Sequence, residues 1–342
     1  MIEIDGSMGE GGGQVLRSAL ALSALTRQAV HITHIRLRRP KPGLQAQHLQ
    51  SVKAAAAVCD GEVEGAAAGS QTLTFYPGEL KAGRYRFEIG TAGSTSLVLQ
   101  TIFLPLCLAG GTSSVKISGG THVPWSPCFD YLDLQWLPHL RRMGFSARLV
   151  MEQAGFYPSG GGLIQATISP APNRLPLDLT QRGALKSISG ISAVADLDPT
   201  IATRQKHQAL RRLEPRCRET KIKTVELNSP SKGTILLLLA TFEHSQCCYF
   251  ALGEKGKPAE RVADEAVDAL EAFLYTEGVI DQYLADQLLL PMAMASGKSR
   301  LGTSKVTQHL LTNAEVIRRF LPTEITIQGE VGQSGLVEVT PP

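Results

Sequence analysis

Apolar and polar residues alternate at the start of the chain, a period of two that predicts a short strand at residues 1–5. The run Gly6-Ser-Met-Gly-Glu-Gly-Gly-Gly13 breaks that pattern, and residues 14–25 follow with an Ala- and Leu-rich helical spacing. A second strand is predicted at 30–36, then a basic loop, then a helix over 44–59. Two further extended runs, 61–65 and 72–76, complete the order strand, glycine turn, helix, strand, helix, strand, strand.

That order recurs. Residues 85–89 read as a strand, 90–96 as a turn of small residues and 97–109 as a helix. A strand at 114–118 follows, then a helix over 129–143 with Leu132, Trp136, Leu137 and Leu140 on one face, and closing strands at 146–152 and 163–169. A third, partial copy ends the chain: helix 285–295, strand 300–306, helix 308–321, and strands 324–328 and 335–339. Its opening strand is expected at 185–193, which leaves residues 194–276 as an interruption. A recurrence of about 80 to 90 residues exceeds solenoid periods and points to a pseudo-symmetric α+β body. The expected division is 1–184 for two units of a large domain, 185–193 for the first strand of the third unit, 194–276 for a smaller inserted α/β domain, and 277–342 for the remainder.

Composition narrows the class. The 342 residues are 43% hydrophobic and 19% charged, with mean hydropathy near zero, as in a soluble globular protein. A formal charge of +3 permits an anionic substrate without requiring one. Six cysteines (Cys59, Cys107, Cys128, Cys217, Cys247 and Cys248) form no CxxC and no Cys/His ligand spacing, so they are expected to be reduced thiols. The start of the chain lacks the basic and apolar regions of a signal peptide, and the apolar run 97–109 is too short to span a bilayer. A cytoplasmic location and no membrane partner are expected. Within the interruption, eight Lys/Arg stand between Arg204 and Lys223 against Glu214 and Glu219, either a solvated face or a nucleic-acid contact.

Several stretches could carry chemistry. Residues 301–321 place Thr307 as an N-cap before Leu310, Leu311, Ala314, Ile317 and Leu321, so His309 falls in the first turn of a helix. The positive end of the helix suits a neutral imidazole that must meet a phosphate, although an ordinary half-buried polar residue has the same pattern. The glycine turn at 9–13 matches neither GxGxxG, because Gln14 takes the third glycine position, nor GxxxxGK[ST]. A strand, glycine turn and helix still present backbone N–H groups to an anion, and Glu10 within them would suit an accompanying divalent cation. Arg17 lies one turn later on an apolar helix, where an unpaired charge is costly. Arg36, Arg38, Arg39 and Lys41 crowd one proline-limited loop, with Gln47 and His48 in the helix after it. Residues 283–287, Tyr-Leu-Ala-Asp-Gln, offer an aromatic, a carboxylate and an amide, enough to hold a purine or simply to open a helix.

Seven stretches in order, DGSMGEGGGQVLRSALALS, RRPKPGLQAQHL, GTAGSTSLVLQT, SGGTHVPWSP, GFYPSGGG, YLADQLLLPMA and HLLTN, together resemble the RNA 3′-terminal phosphate cyclases. The resemblance runs from residue 2 to the last strands and is weakest in the 194–276 insert. It implies a large domain of three repeats, each a four-stranded sheet with two helices, with a smaller α/β domain inserted in the third. It also implies an ATP-dependent enzyme that converts an RNA 3′-phosphate to a 2′,3′-cyclic phosphodiester through a covalent histidine–AMP and an RNA-adenylate. His309 matches the adenylated histidine. ATP is the implied co-substrate, with a divalent metal, Mg2+ or Mn2+, held by Glu10. Gln100, Pro127, Phe250, Tyr283, Leu284, Ala285, Asp286 and Gln287 match the ATP site. Arg17, Arg36, Arg39, Gln47 and His48 match positions that engage phosphates or the end of an RNA partner. The competing expectations are a non-catalytic relative serving ribosome assembly, an enolpyruvyl transferase of similar architecture, and an RNA-binding module that uses the basic loop alone. His309 is the residue that a non-catalytic relative would lack.

Overall fold

A computed structural model describes residues 1–341. Strand β1 (Ile2–Asp5) leads through the glycine loop into α1 (Gly13–Thr26), which crosses back to β2 (Val30–Thr33). β1 and β2 pair in parallel, an arrangement that needs such a crossover. α2 (Ala46–Cys59), β3 (Glu62–Glu64) and β4 (Leu73–Tyr76) follow, and β4 is antiparallel to both β2 and β3. The sheet order is β1-β2-β4-β3.

Strand β5 (Arg84–Glu88), α3 (Thr95–Cys107) and β6 (Ser113–Gly119) begin a second sheet, completed by β7 (Ala147–Gln153) and β8 (Gly162–Ile168) in the order β5-β6-β8-β7. Its pairings keep the senses of the first sheet: parallel, antiparallel, antiparallel. The helix expected over 129–143 is not uniform. α4 (Phe129–Tyr131) passes into a π-helical turn at Leu132–Trp136 and then into α5 (Leu137–Arg142). Pro138 explains the break, since it has no N–H to offer the carbonyl of Leu134 one turn back. The side-chain Nε2 of Gln246 donates to that carbonyl instead.

The remaining strands correct one expectation. β9 (Asp178–Leu179), only two residues long, is the strand that pairs in parallel with β14 (Ser299–Thr303). With β15 (Glu324–Gln328) and β16 (Gly335–Thr340) it forms the sheet β15-β16-β14-β9. Residues 185–193 were expected to fill that edge. They lie in β10 (Leu185–Ala195), which pairs with β11 (Thr220–Glu226) and β12 (Gly233–Phe242) in a separate sheet. Two residues leave no readable period, whereas the long alternation of β10 dominates the local pattern.

β13 (Gln246–Leu252) completes that separate sheet, and α6 (Thr200–Leu213) and α7 (Ala259–Leu274) pack beside it. Val262, Ala263, Ala266, Val267, Leu270 and Phe273 turn the apolar face of α7 onto it. A larger core unites α1, α2, α3, α8 (Gln282–Ala293) and α9 (Gln308–Phe320) with the other sheets. Among the described residues all six cysteines are free thiols, and no helix is long and apolar enough to cross a membrane.

The loop at residues 155–162 ties the second sheet to the insert, with Ala154, Phe156 and Ala195 in a small cluster of their own. Phe156 N–H donates to Ser231 Oγ at 2.7 Å, and that hydroxyl donates to Gly160 O at 3.0 Å. A Cβ on Gly233 would fall 2.1 Å from the Phe156 ring, so only glycine lets the two segments close.

Candidate active site

α9 starts as its sequence predicts. Thr307 is extended, and its Oγ1 accepts the Leu310 N–H at 3.1 Å, which places His309 in the first turn. The facing wall is the glycine loop before α1. Gly9 has φ +56°, and a Cβ there would lie 2.0 Å from Thr312 Oγ1, so the loop rests directly on α9. That contact carries Glu10 to the histidine: Glu10 Oε2 lies 3.0 Å from His309 Nε2. Both side chains stay reachable by solvent, 48% and 42% exposed. Arg39 adds a cation 3.7 Å from the same carboxylate oxygen.

Behind the pair lies a polar layer built from three helices. Gln14 Nε2 donates to Asp286 Oδ2 at 2.7 Å and to the His309 carbonyl at 3.2 Å, joining α1, α8 and α9. Asn313 Nδ2 donates to the Asp286 carbonyl at 2.8 Å, and Ser18 Oγ donates to Asn313 Oδ1 at 2.6 Å. Burial raises the Asp286 carboxyl to about 6, against the opposing charges of His309 and Arg17.

Arg17 has no hydrogen bond or ion pair of its own among the described residues. Burial pulls its guanidinium down to about 10, opposed by the charge of Asp286, so it is still a cation at neutral pH. His48 stands beside it. A Cβ on Gly13 would come within 2.4 Å of His48 Nε2 and 2.9 Å of an Arg17 nitrogen, so the absent side chain makes room for both groups. Burial, with Arg17 and Arg36 adding repulsion, drops the His48 ring to about 3 and keeps it neutral. Its Nδ1 accepts the Gln45 N–H, which assigns the proton to Nε2.

The remaining expected residues divide. Arg36, at φ +55°, donates to the carbonyls of Lys41 and Gly43 and so closes its own loop. Gln47 Oε1 accepts the Ser94 N–H at 2.7 Å, tying α2 to the turn before α3. Gln100 Nε2 donates to Gln287 Oε1 at 2.6 Å, which brings those two together. Leu284 and Ala285 are fully buried, so their side chains belong to the core of α8. Tyr283 is 54% exposed, and its ring meets Tyr249 edge-on at 6.4 Å. Phe250 instead meets Tyr131, also at 6.4 Å. Pro127 is half-buried in the loop between β6 and α4.

Two readings of charge and ligand spacing change in three dimensions. Much of the basic charge on α6 faces α7: Arg204 pairs with Glu260, and Arg212 reaches Asp264, Asp268 and Glu271 at 2.6–3.0 Å. No Cys/His spacing was evident, yet the fold gathers His122, Cys128 and Asp130 with ligand atoms within 4.8 Å of one another. All three are already engaged. His122 bonds Asp130 and Thr121, and Cys128 Sγ accepts the Tyr131 N–H.

Sequence reasoning did not single out Asn313, Thr312, Ser18 or Asp281. Asn313 lies four residues after His309, on the same helical face, and an aspartate just before α8 is an ordinary N-cap signal. Ser18 and Thr312 carried no such mark.

Comparisons with known proteins add to this geometry. The family described as RNA 3′-terminal phosphate cyclase matches residues 8–327. An RNA 3′-terminal phosphate cyclase of Ralstonia nicotianae is 46% identical over 332 residues, 96% of this chain and 94% of the relative. Relatives of the same name from Methylococcus capsulatus and Methanopyrus kandleri are each 42% identical, over 99% and 100% of this chain and 96% and 99% of their own lengths. Among solved structures, the enolpyruvyl transferase NikO from Streptomyces tendae is similar over 50% of this chain and 33% of its own, at 13% identity and a TM-score of 0.28.

Proposed function

The chain belongs to the RNA 3′-terminal phosphate cyclase family, and on that premise we propose that it uses ATP to convert an RNA 3′-phosphate to a 2′,3′-cyclic phosphodiester through a covalent adenylate on His309. The observation that carries this reading is His309 in the first turn of α9 with Nε2 3.0 Å from Glu10. In the first step Nε2 attacks the α-phosphorus of ATP, an N–P bond forms, and the bond to the β-phosphate breaks to release pyrophosphate. An oxygen of the RNA 3′-phosphate then takes the adenylate, breaking the N–P bond. Finally the adjacent 2′-hydroxyl loses its proton and attacks the 3′-phosphorus, closing the ring and expelling AMP.

Each group has a physical task. Nε2 must be unprotonated to attack, and in this geometry it faces a carboxylate, so Glu10 has to release it as the nucleotide enters. Glu10 also fits a divalent metal. It is a single, half-exposed carboxylate beside a site for phosphates, and Mg2+ commonly takes one or two protein carboxylates with phosphate oxygens completing the shell. When bound, the metal would neutralise phosphate charge, which is most of what phosphoryl transfer requires beyond positioning. Arg17, unpaired and half-buried, and Arg39, at the rim of the site, supply further cations for phosphates of the nucleotide or RNA. Neutral His48, with Gln47 and Arg36, would flank the RNA end. Tyr283 and Pro127 would flank the base, Phe250, Gln100, Asp286 and Gln287 would complete the adenosine pocket, and Leu284 and Ala285, buried in the core of α8, would support it from behind.

The three sheets outside the insert share one strand order and one set of pairing senses. We take them as three copies of a single unit, with residues from 185 onward forming the insertion. Supplying the protein with ATP, a divalent metal and an RNA ending in a 3′-phosphate tests the activity: the end should become resistant to phosphatase as AMP is released. A phosphatase-sensitive end after full ATP turnover would reject cyclisation.

A further inference from the structure

Asp281 is fully buried at the start of α8, outside the groups used above. Its Oδ1 accepts the N–H groups of Tyr283 and Leu284 at 3.1 and 3.0 Å, as an N-cap should. Serine or asparagine could do that with one oxygen. This carboxylate does more. Tyr131 OH donates to Oδ1 at 2.8 Å, and Gln135 Nε2 donates to Oδ2 at 2.8 Å. Both donors come from the segment where α4 passes into the π-helical turn, and such turns often mark functional sites.

The chain of bonds continues into the insert. Gln135 Nε2 also donates to the Gln246 carbonyl, and Gln246 Nε2 donates back to Gln135 Oε1, both at 3.1 Å. Gln246 begins β13, the strand that carries Tyr249 against the Tyr283 ring and Phe250 against the Tyr131 ring. One buried carboxylate therefore links the π-helical turn, the insert and the first turn of α8. Enclosing an acid among neutral donors is costly: burial raises its carboxyl to about 6 even though the hydrogen bonds from Tyr131, Leu284 and Gln135 pull the other way.

We propose that Asp281, gripped by Tyr131 and Gln135, is a positioning residue for nucleotide binding. It fixes the first turn of α8, which sets Tyr283 against Tyr249 of β13 and starts the helix that carries Asp286 towards α1 and α9 and Gln287 towards α3. The role rests on the nucleotide site described under the proposed function. It acts through the helix, so it governs how tightly ATP is held more than how fast the bound nucleotide reacts.

The test measures label incorporated from α-labelled ATP into the full-length protein over a range of ATP concentrations, for wild type, Tyr131→Phe, Asp281→Asn and the double variant. The ATP concentration for half-maximal labelling should rise about five- to tenfold in each single variant, while the rate at saturating ATP stays within about twofold. The double variant should be little worse than Asp281→Asn alone, because both changes act on one linkage. If Asp281→Asn does not fold, Tyr131→Phe decides by itself. A folded Tyr131→Phe protein with a lowered melting temperature but unchanged ATP dependence would reduce Asp281 to a helix cap and overturn the proposal. If wild type takes no label, the nucleotide site fails first, and this role goes with it.

Discussion

His309 Nε2 lies 3.0 Å from Glu10 Oε2, although the two residues are 299 positions apart in the sequence. The approach depends on α1 and α9 packing side by side, with the glycine loop before α1 resting on Thr312. On the proposed reading, one carboxylate holds the nucleophile at rest and faces the place where phosphates and a metal would arrive. Glu10→Gln should slow self-adenylation by about a hundredfold and flatten its dependence on metal concentration. A metal titration identical to wild type would remove Glu10 from the ligand set.

The glycine loop supplies the second prediction. Gly9 combines φ +56° with a 2.0 Å approach to Thr312 Oγ1. Gly9→Ala should cost about 1–2 kcal/mol from backbone strain alone and should lower labelling further by moving Glu10 away from His309. Gly11, also at positive φ but with no neighbour closer than 3.6 Å, is the comparison. Gly11→Ala should carry the strain and lose much less labelling. Equal losses in both variants would show that the contact with α9 is immaterial.

How far the sequence revealed this arrangement depends on the length of each signal. The period of α9 and the Thr307 cap were legible because thirteen residues repeat a face and one hydroxyl sits at its start. β9 was not, because two paired residues have no period. The form of the break was not legible: Pro138, inside the helix expected over 129–143, signals a disruption but not a π-helical turn, and only Gln246, 112 residues from Leu134, shows what replaces the lost bond. His309 and Glu10 came from the stretches carrying the resemblance, and their separate positions gave no indication that they meet. The pairing of the basic helix α6 with α7 was equally out of reach, since a charge run has the same composition whether it faces water or acids.

Arg39 provides a third prediction. It stands at the rim, 3.7 Å from Glu10 and 38% exposed, whereas Arg17 lies deeper. Arg39→Ala should therefore impair transfer to the RNA end by about tenfold or more and change self-adenylation much less. Single-turnover labelling and cyclisation, measured separately, distinguish the steps. Equal loss in both would move Arg39 into the ATP site.

A fourth prediction concerns stability. His139 is buried, and its ring is lowered to about 4 by that burial, with the bond to the Gln135 carbonyl opposing. The folded value lies below the unfolded one, near 6.5. As pH falls, the unfolded chain therefore binds the proton first. Stability from the neutral ring is complete above pH 6.5 and is lost progressively down to about pH 4, a change of about 3 kcal/mol. Asp281 and Asp286, raised to about 6, work in the opposite sense between pH 4 and 6, so wild type alone does not isolate the effect. The stability difference between wild type and His139→Gln should shift against wild type as pH falls from 6.5 to 4. A difference that does not change with pH would contradict the assignment.

The most direct measurement is the fate of α-labelled ATP on the protein itself. Wild type incubated with ATP and a divalent metal should acquire label that is lost in acid and kept in base, as a phosphoramidate requires, and peptide mapping should place it on His309. His309→Ala should acquire none. Absence of label from wild type, or its persistence in His309→Ala, would contradict a covalent adenylate at this histidine.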